Sequence, residues 1–199
     1  MRYKAILFDM DGTLLDTLTD MADAVNHILS VHGWPLRTTE EVRAFVGNGA
    51  RRLMERAVPP EVTGGDFETV LTEYRDWYQA HNCVATAPYP GIPALLAALA
   101  EAGIKTAVVS NKPDATTKTL AARFFPGLPA FGQRDDVPPK PSPDLVFHAL
   151  DTLGVAAADA IYVGDSEVDV ATARNAGLPL AAVSWGFRGR QALAEAGAA

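Results

Sequence analysis

The feature that most constrains the fold is an apolar run near the amino terminus that leads directly into two carboxylates. The run Ala5 to Phe8 has no polar alternation, and Asp9 and Asp11 follow it at a spacing of two. Such a run is typical of a strand buried on both faces, as in a parallel sheet. Ligands of open α/β sheets bind just beyond the carboxyl ends of these strands. The pattern therefore predicts a ligand-binding site at Asp9 and Asp11. A strand that simply ends in a solvated turn would have the same pattern.

The second half of the chain alternates between strand and helix patterns. Apolar runs at 104–109, 161–163 and 180–184 are separated by amphipathic stretches that stop at glycines such as Gly154 and Gly177. Alternation of this kind predicts an α/β fold with a doubly wound, parallel, Rossmann-like sheet and right-handed crossovers.

The segment that follows the first strand has a different pattern. Between residues 17 and 84, apolar residues recur at helical spacing, as in Leu18, Met21 and Val25, and strand patterns are lacking. We therefore expect residues 1–16 and 85–199 to form the α/β core, and residues 17–84 to form an inserted α-helical cap. Its position in the chain favours a lid beside the Asp9 end of the sheet.

Charge and composition limit the possible partners and the location. The net charge of −7 argues against nucleic acid and anionic membranes, because both attract basic surfaces. The single cysteine, Cys83, fits a reducing compartment, and the apolar stretch near residues 95–100 is too short to span a bilayer. The start of the chain leaves no room for a signal peptide ahead of the first strand. A cytoplasmic protein with a small-molecule substrate is the expectation.

Three predicted strands end in polar clusters, which are expected to meet at one edge of a parallel sheet. Asp9 and Asp11 follow the first strand, and Asp165 follows a later one, with Asp169 one helical turn further on. Carboxylate oxygens in such a cluster suit Mg²⁺. Asp169 could face the same site, or its charge could simply interact favourably with the helix dipole in the first turn of a helix.

Two further candidates could contact an anionic group. Ser110 and Asn111 end a predicted strand and could donate hydrogen bonds to phosphate, or they could cap the following helix. Lys140 lies among prolines that restrict its loop, where a fixed ammonium could offset phosphoryl charge; a solvated lysine in a turn is the alternative. In the cap, Gly47 and Asn48 mark either a helix break or a place where backbone approaches substrate.

Taken together, these pieces resemble the haloacid dehalogenase superfamily, in particular its phosphoglycolate phosphatase-like members with a helical cap. The resemblance covers nearly the whole chain. Its motifs are, in order, Phe8-Asp9-Met10-Asp11-Gly12-Thr13-Leu14, Val109-Ser110-Asn111, Lys140-Pro141, and Gly164-Asp165-Ser166 through Asp169.

The resemblance implies a Mg²⁺-dependent phosphatase that works through an aspartyl-phosphate. Asp9 would be the nucleophile, and Asp11 the acid and base. Mg²⁺ would be bound by the Asp9 carboxylate, the Asp11 carbonyl and Asp165, with Asp169 supporting these ligands. The phosphoryl group would be held by Ser110, Asn111 and Lys140.

The substrate is less constrained than the chemistry. The stretches Val46 to Ala50 and Gly132 to Arg134 resemble phosphoglycolate phosphatases, which makes 2-phosphoglycolate the first candidate. A sugar phosphomutase related to β-phosphoglucomutase, or a catalytically silent binding protein, are the alternatives on the same scaffold. The joint presence of Asp9, Asp11, Lys140 and Asp165 argues against the silent protein.

Overall fold

The structure, a computed structural model, describes residues 3–198 and is built around a parallel sheet. Its strands in chain order are β1 (Ala5–Phe8), β2 (Leu15–Asp16), β3 (Ala87–Pro88), β4 (Lys105–Pro113), β5 (Ala130–Gln133), β6 (Ala160–Gly164) and β7 (Leu180–Ala182). Five of them form the main sheet in the order β5-β4-β1-β6-β7, all parallel, and β2 pairs with β3 in a second sheet. The predicted doubly wound α/β fold is confirmed.

Helices occupy most of the remaining chain. They are α1 (Leu18–Val31), α2 (Thr39–Phe45), α3 (Gly49–Ala57), α4 (Gly64–His81), α5 (Ile92–Glu101), α6 (Asp114–Phe124), α7 (Asp144–Leu153), α8 (Glu167–Ala176) and α9 (Arg190–Glu195), with a short 3₁₀ turn at Ala157–Asp159. Within residues 3–198, no helix combines the length and the apolar character that a membrane crossing requires.

The first strand lies at the centre of the sheet, which explains its unbroken apolar character. Ala5 pairs with Lys105 on one side and with Ala160 on the other. On one face of the sheet, Leu7 and Tyr162 pack in an apolar core to which α7 and α8 contribute Val146, Leu150 and Ala173 among others. Because all strands are parallel, the residues that follow β1 and β6 leave from the same edge.

The chain divides into two compact units. One comprises Met1–Asp16 and Pro88–Ala199, and the other comprises Thr17–Ala87 with helices α1 to α4. The helical unit therefore extends three residues beyond the predicted boundary at residue 84. Its role as a cap stays a prediction.

One local prediction differs from the structure. Strand β4 was expected to end at Val109 but runs to Pro113 through a register shift against β5. Helix α2 is capped by Thr38, and Glu41 completes a capping box.

Asp20, in α1, binds the backbone of residues 84–86 near the end of the helical unit. Its buried carboxylate accepts hydrogen bonds from the backbone N–H groups of Val84 (3.1 Å), Ala85 (2.8 Å) and Thr86 (2.9 Å). Hydrogen bonds to a charged acceptor are stronger than neutral ones. This single side chain therefore ties the end of the unit to its first helix.

We expect Asp20→Ala to lower the free energy of unfolding by about 3 kcal/mol, since three backbone donors lose a charged acceptor at once. Hydrogen exchange should accelerate at the amides of residues 84–86 and stay slow in the main sheet. Asp23→Ala, an exposed position of the same helix, is the matched control and should change neither. Unchanged exchange at residues 84–86 in Asp20→Ala would contradict the anchoring role.

Candidate active site

Three carboxylates come together where β1 and β6 end. Asp9 follows β1, Asp165 follows β6, and Asp169 lies in the first turn of α8. All three are buried, and each offers an oxygen within 4.8 Å of the others. The meeting of these residues at one edge of the sheet is the arrangement predicted from the sequence.

Asp9 is held at one of its two oxygens. Its Oδ1 accepts the N–H of Met10 at 2.7 Å and lies 3.0 Å from the ammonium of Lys140. Burial raises the pKa of the Asp9 carboxyl well above its ordinary value, the Asp169 carboxylate raises it further, and Lys140 opposes both. With Oδ1 fixed, Oδ2 is the oxygen suited to attack or to bind a cation.

Lys140 connects the carboxylates. Its buried ammonium lies 2.9 Å from Asp169 Oδ1 and 3.0 Å from both Asp9 Oδ1 and the Tyr162 hydroxyl. Burial alone would lower its pKa, but Asp169 and Asp9 outweigh burial and raise the pKa well above the ordinary value. Lys140 is therefore a fixed positive charge beside the oxygen of Asp9.

Asn111 positions the loop that carries Lys140. Its side-chain amide donates to the Lys140 carbonyl at 2.9 Å, and its Oδ1 accepts the Lys140 N–H at 2.7 Å. The peptide bond between Lys140 and Pro141 is cis. The Asn111 side chain therefore holds the lysine loop, and its direct donation to phosphate stays a prediction.

Asp169 is engaged at both oxygens by protein donors. Oδ1 contacts Lys140, and Oδ2 accepts the Ser166 hydroxyl at 2.6 Å together with the N–H groups of Asp165 and Ser166. Ser166 in turn caps α8 in a reciprocal capping box with Asp169. Asp169 thus stabilises the start of the helix and orders the site at the same time.

Asp165 is fixed by residues from opposite ends of the chain. Thr13 Oγ1 donates to its Oδ1 at 3.1 Å, and the N–H of Phe187 donates to its Oδ2 at 2.7 Å. Burial, and then the nearby Asp169 carboxylate, raise the pKa of Asp165 to about 7 although these hydrogen bonds oppose the rise. Trp185 braces the same turn by donating from Nε1 to the Thr13 carbonyl at 3.1 Å.

Asp11 is paired with Lys112, a lysine that is not among the predicted site residues. The Lys112 ammonium lies 3.1 Å from Asp11 Oδ1, and the lysine side chain is only 4% exposed. Ser110, two residues before it, is also buried, and its hydroxyl accepts the Lys112 N–H at 3.2 Å. The end of β4 therefore delivers both a hydroxyl and a second ammonium to this edge of the main sheet.

Gly47 and Asn48 lie in the helical unit, between α2 and α3. Gly47 has a positive φ of 116°, and the Asn48 side chain accepts a hydrogen bond from Arg56 at 3.0 Å. Arg56 also donates to the Phe45 carbonyl, so it holds the whole turn. A contact of this turn with substrate stays a prediction.

The charges of the site fit a divalent cation. Four carboxylates, those of Asp9, Asp11, Asp165 and Asp169, face two ammonium groups, an excess of negative charge that one divalent cation would balance. The donors are oxygens, which suit hard cations. Burial and, after it, the neighbouring Asp169 carboxylate raise the pKa values of Asp9 and Asp165, and a bound cation would offset both effects.

Sequence reasoning missed four contributors, and the signals for them differ. Lys112 directly follows the predicted Ser110 and Asn111, so its position was a usable signal. Tyr162 has the pattern of an ordinary strand residue, and only the fold brings its hydroxyl within hydrogen-bond distance of the Lys140 ammonium. The Gly186-Phe187 pair carried no recognisable signal.

Gly186 is a sensitive point because the backbone there passes very close to the site. A Cβ at this position would collide with the Gly12 carbonyl and with the Asp165 side chain. We expect Gly186→Ala to displace Asp165 and to weaken divalent-cation binding about 10- to 100-fold, the usual effect of disturbing groups that orient metal ligands. Calorimetric titration, with circular dichroism as a check on folding, measures this loss.

The matched control is Gly189→Ala, where a Cβ would meet no atom within 4 Å. It should bind cations like the wild type. Equal affinities in the two variants would show that close packing at Gly186 does not order Asp165.

Comparisons with known proteins agree with this geometry. Relatives include the N-acetylmuramic acid 6-phosphate phosphatase of Pseudomonas aeruginosa, which is 35% identical over 94% of this chain and 84% of its own. The phosphoglycolate phosphatase of Xanthomonas campestris pv. campestris is 36% identical over 94% of this chain and 86% of its own.

This chain also resembles a crystal structure of a candidate phosphoglycolate phosphatase from Lactobacillus delbrueckii subsp. bulgaricus, with a TM-score of 0.94 and 35% sequence identity. The match covers 100% of this chain and 93% of the Lactobacillus chain. The family model for haloacid dehalogenase-like hydrolases matches residues 6–183, a range that includes every predicted site residue. The resemblance inferred from the motifs is confirmed, and the chain belongs to the haloacid dehalogenase-like hydrolase family.

Proposed function

We propose that this protein hydrolyses small phosphomonoesters through an aspartyl-phosphate on Asp9, with Mg²⁺ as cofactor and 2-phosphoglycolate as the first candidate substrate. The observation that carries the proposal is the contact of Asp9 with Lys140 at 3.0 Å beside the Asp165 carboxylate. A phosphatase of this family is also what the names of its relatives support.

In the first step, Asp9 Oδ2 forms a bond to phosphorus while the bond from phosphorus to the ester oxygen breaks. Asp11, which must enter this step as the protonated acid, gives its proton to that oxygen, so the organic group leaves with a neutral hydroxyl. The Lys140 ammonium and the Ser110 hydroxyl donate to the phosphoryl oxygens and keep phosphorus in line with Asp9.

In the second step, Asp11, now a carboxylate, removes a proton from water. The water oxygen bonds to phosphorus, the bond to Asp9 breaks, and inorganic phosphate leaves with Asp9 restored. Lys140 stays within reach of Asp9 Oδ1 through both steps, because Asn111 fixes its backbone and Tyr162 its ammonium.

The Asp9 carboxylate, the Asp11 carbonyl and Asp165 are the residues that would hold Mg²⁺, and Asp169 would order them. When bound, Mg²⁺ supplies positive charge that stabilises the phosphoryl oxygens during transfer. The excess of carboxylates over ammonium groups supports this assignment.

The helical unit Thr17–Ala87 is proposed as a cap that selects the organic part of the substrate, with Gly47 and Asn48 as its contact.

A small phosphorylated metabolite is the proposed partner, and the cytoplasm, inferred from the single cysteine, is the proposed location. The phosphomutase alternative gains no support from the relatives, which are named as phosphatases.

A phosphate-release screen over phosphorylated metabolites, with and without Mg²⁺, tests the proposal. We expect Mg²⁺-dependent release, with the highest kcat/KM for 2-phosphoglycolate among substrates that include N-acetylmuramic acid 6-phosphate and β-glucose 1-phosphate. Conversion of β-glucose 1-phosphate to its 6-phosphate without phosphate release would favour the mutase instead.

Two isosteric variants check that release comes from this site. Asp9→Asn should lose at least about a thousandfold in kcat, because an amide cannot replace the attacking carboxylate. Asp11→Asn should lower kcat by about 10²- to 10⁴-fold. It should also retain phosphorus on the protein after an acid quench, because its amide cannot activate water. Normal turnover in either variant would refute the role assigned to that aspartate.

We expect Mg²⁺ to bind about tenfold more weakly at about pH 6 than at about pH 8, because the cation must displace a proton from Asp165, whose pKa is about 7. The raised pKa of Asp165 also affects the stability of the metal-free protein. Its contribution to the folded state is fully present at pH values below the pKa that Asp165 has in the unfolded chain, and it is lost as the pH rises through about 7.

The rise in Tm caused by Mg²⁺ should therefore be larger at the higher pH. Asp165→Asn, which keeps the shape and removes the titration, is the control and should show little Mg²⁺ response at either pH. A wild-type response that is the same at both pH values would contradict the proton displacement.

A further inference from the structure

Lys112 is a second buried ammonium at the site, and the reaction steps above do not use it. Its Nζ lies 3.1 Å from Asp11 Oδ1, and 4% of its side chain is exposed. Lys140 already supplies the positive charge beside Asp9. The function of Lys112 therefore has to be found on the Asp11 side of the site.

The backbone holds Lys112 in a fixed place. Its N–H donates to Ser110 Oγ at 3.2 Å, and its carbonyl accepts the hydroxyl of Thr117 at 3.1 Å. The register between β4 and β5 shifts over this segment, between Val109 and Pro113. A lysine side chain is flexible on its own, but here the Lys112 backbone is held by hydrogen bonds and its ammonium is paired with Asp11.

The proposed chemistry places the leaving group next to this ammonium. Asp11 must lie within hydrogen-bond distance of the ester oxygen to give it a proton. The first atoms of the organic group are bonded to that oxygen, so they lie beside the Asp11 carboxyl. A cation in contact with Asp11 is therefore close to the atoms that come two bonds after the ester oxygen.

A carboxylate is the group that a buried ammonium would bind at this distance. In 2-phosphoglycolate, the carboxylate carbon is two bonds from the ester oxygen. Charge-assisted hydrogen bonds in a buried site are stronger than neutral ones, and a site that offers such a donor discriminates against substrates lacking the partner. A purely structural ion pair with Asp11 is the competing explanation for the same contact.

We infer that Lys112 is a specificity-determining residue that binds a substrate carboxylate two bonds from the ester oxygen, an assignment that rests on the proposed phosphatase function. It selects phosphorylated 2-hydroxy acids over phosphomonoesters that are neutral at this position. Lys140 and Ser110 hold the phosphoryl end, and Lys112 holds the acid end.

The test compares 2-phosphoglycolate with its carboxamide, 2-phosphoglycolamide, which has nearly the same shape without the charge. For the wild type, kcat/KM should be about ten- to a hundredfold higher for the carboxylate, the range expected for one charge-assisted hydrogen bond. In Lys112→Met, the ratio of the two values should fall close to one. Replacing Lys112 also alters proton transfer by Asp11, but that effect applies to both substrates alike and cancels in the ratio of their kcat/KM values.

Lys112→Gln is measured in parallel, because removing one partner of a buried ion pair can unfold a protein, and glutamine keeps a donor for Asp11. The ratio is taken from each variant whose circular dichroism matches the wild type. Lys4→Met is the matched control, since Lys4 is an exposed lysine paired with Asp159 ahead of β1, and its ratio should equal that of the wild type.

The outcomes separate the inference from the proposed function. If the wild type hydrolyses both substrates without preference, or if a folded Lys112 variant keeps the preference, the carboxylate role is overturned and the phosphatase stands. If the wild type releases phosphate from neither these two substrates nor the wider screen, the phosphatase proposal fails, and the Lys112 assignment fails with it.

Discussion

The candidate site depends on one buried ammonium, that of Lys140. Moving an ammonium out of water is costly unless opposite charges and hydrogen bonds surround it. Here Asp9, Asp169 and the Tyr162 hydroxyl all lie within 3.0 Å of Nζ, and the same contacts keep the two carboxylates close to each other. Asp9, the helix that carries Asp169 and the proline-rich loop of Lys140 are thereby joined in one network.

The network also explains how so many carboxylates are tolerated in one place. Each carboxylate has a distinct set of donors: Met10 and Lys140 for Asp9, Lys112 for Asp11, and Thr13 with Phe187 for Asp165. In spite of these donors, burial and then the neighbouring Asp169 carboxylate raise the pKa values of Asp9 and Asp165. Both effects disfavour the charged carboxylates in the metal-free protein, and a bound cation would offset them, as expected of a functional site.

Small residues permit the close approach of segments that are far apart in sequence. Gly12 lacks the Cβ that would collide with Asp165, and it has a positive φ of 82°. Gly186 brings the segment after β7 against the same aspartate, so that the Phe187 N–H reaches it. Two segments thus converge on Asp165, and a side chain at either glycine would displace its segment.

The amino-acid sequence by itself determined the α/β alternation, the central buried strand and the acidic residues at the strand ends. Those features follow from local periodicity and from the rule that parallel strands share an edge. The tertiary structure alone decided which donor meets which oxygen. Asn111 binds the Lys140 backbone, Lys112 pairs with Asp11, and Phe187 reaches Asp165, because such contacts depend on strand order, register and close packing between distant segments. A local sequence pattern can indicate that a residue such as Lys112 lies near the site, but it does not determine which atom that residue contacts.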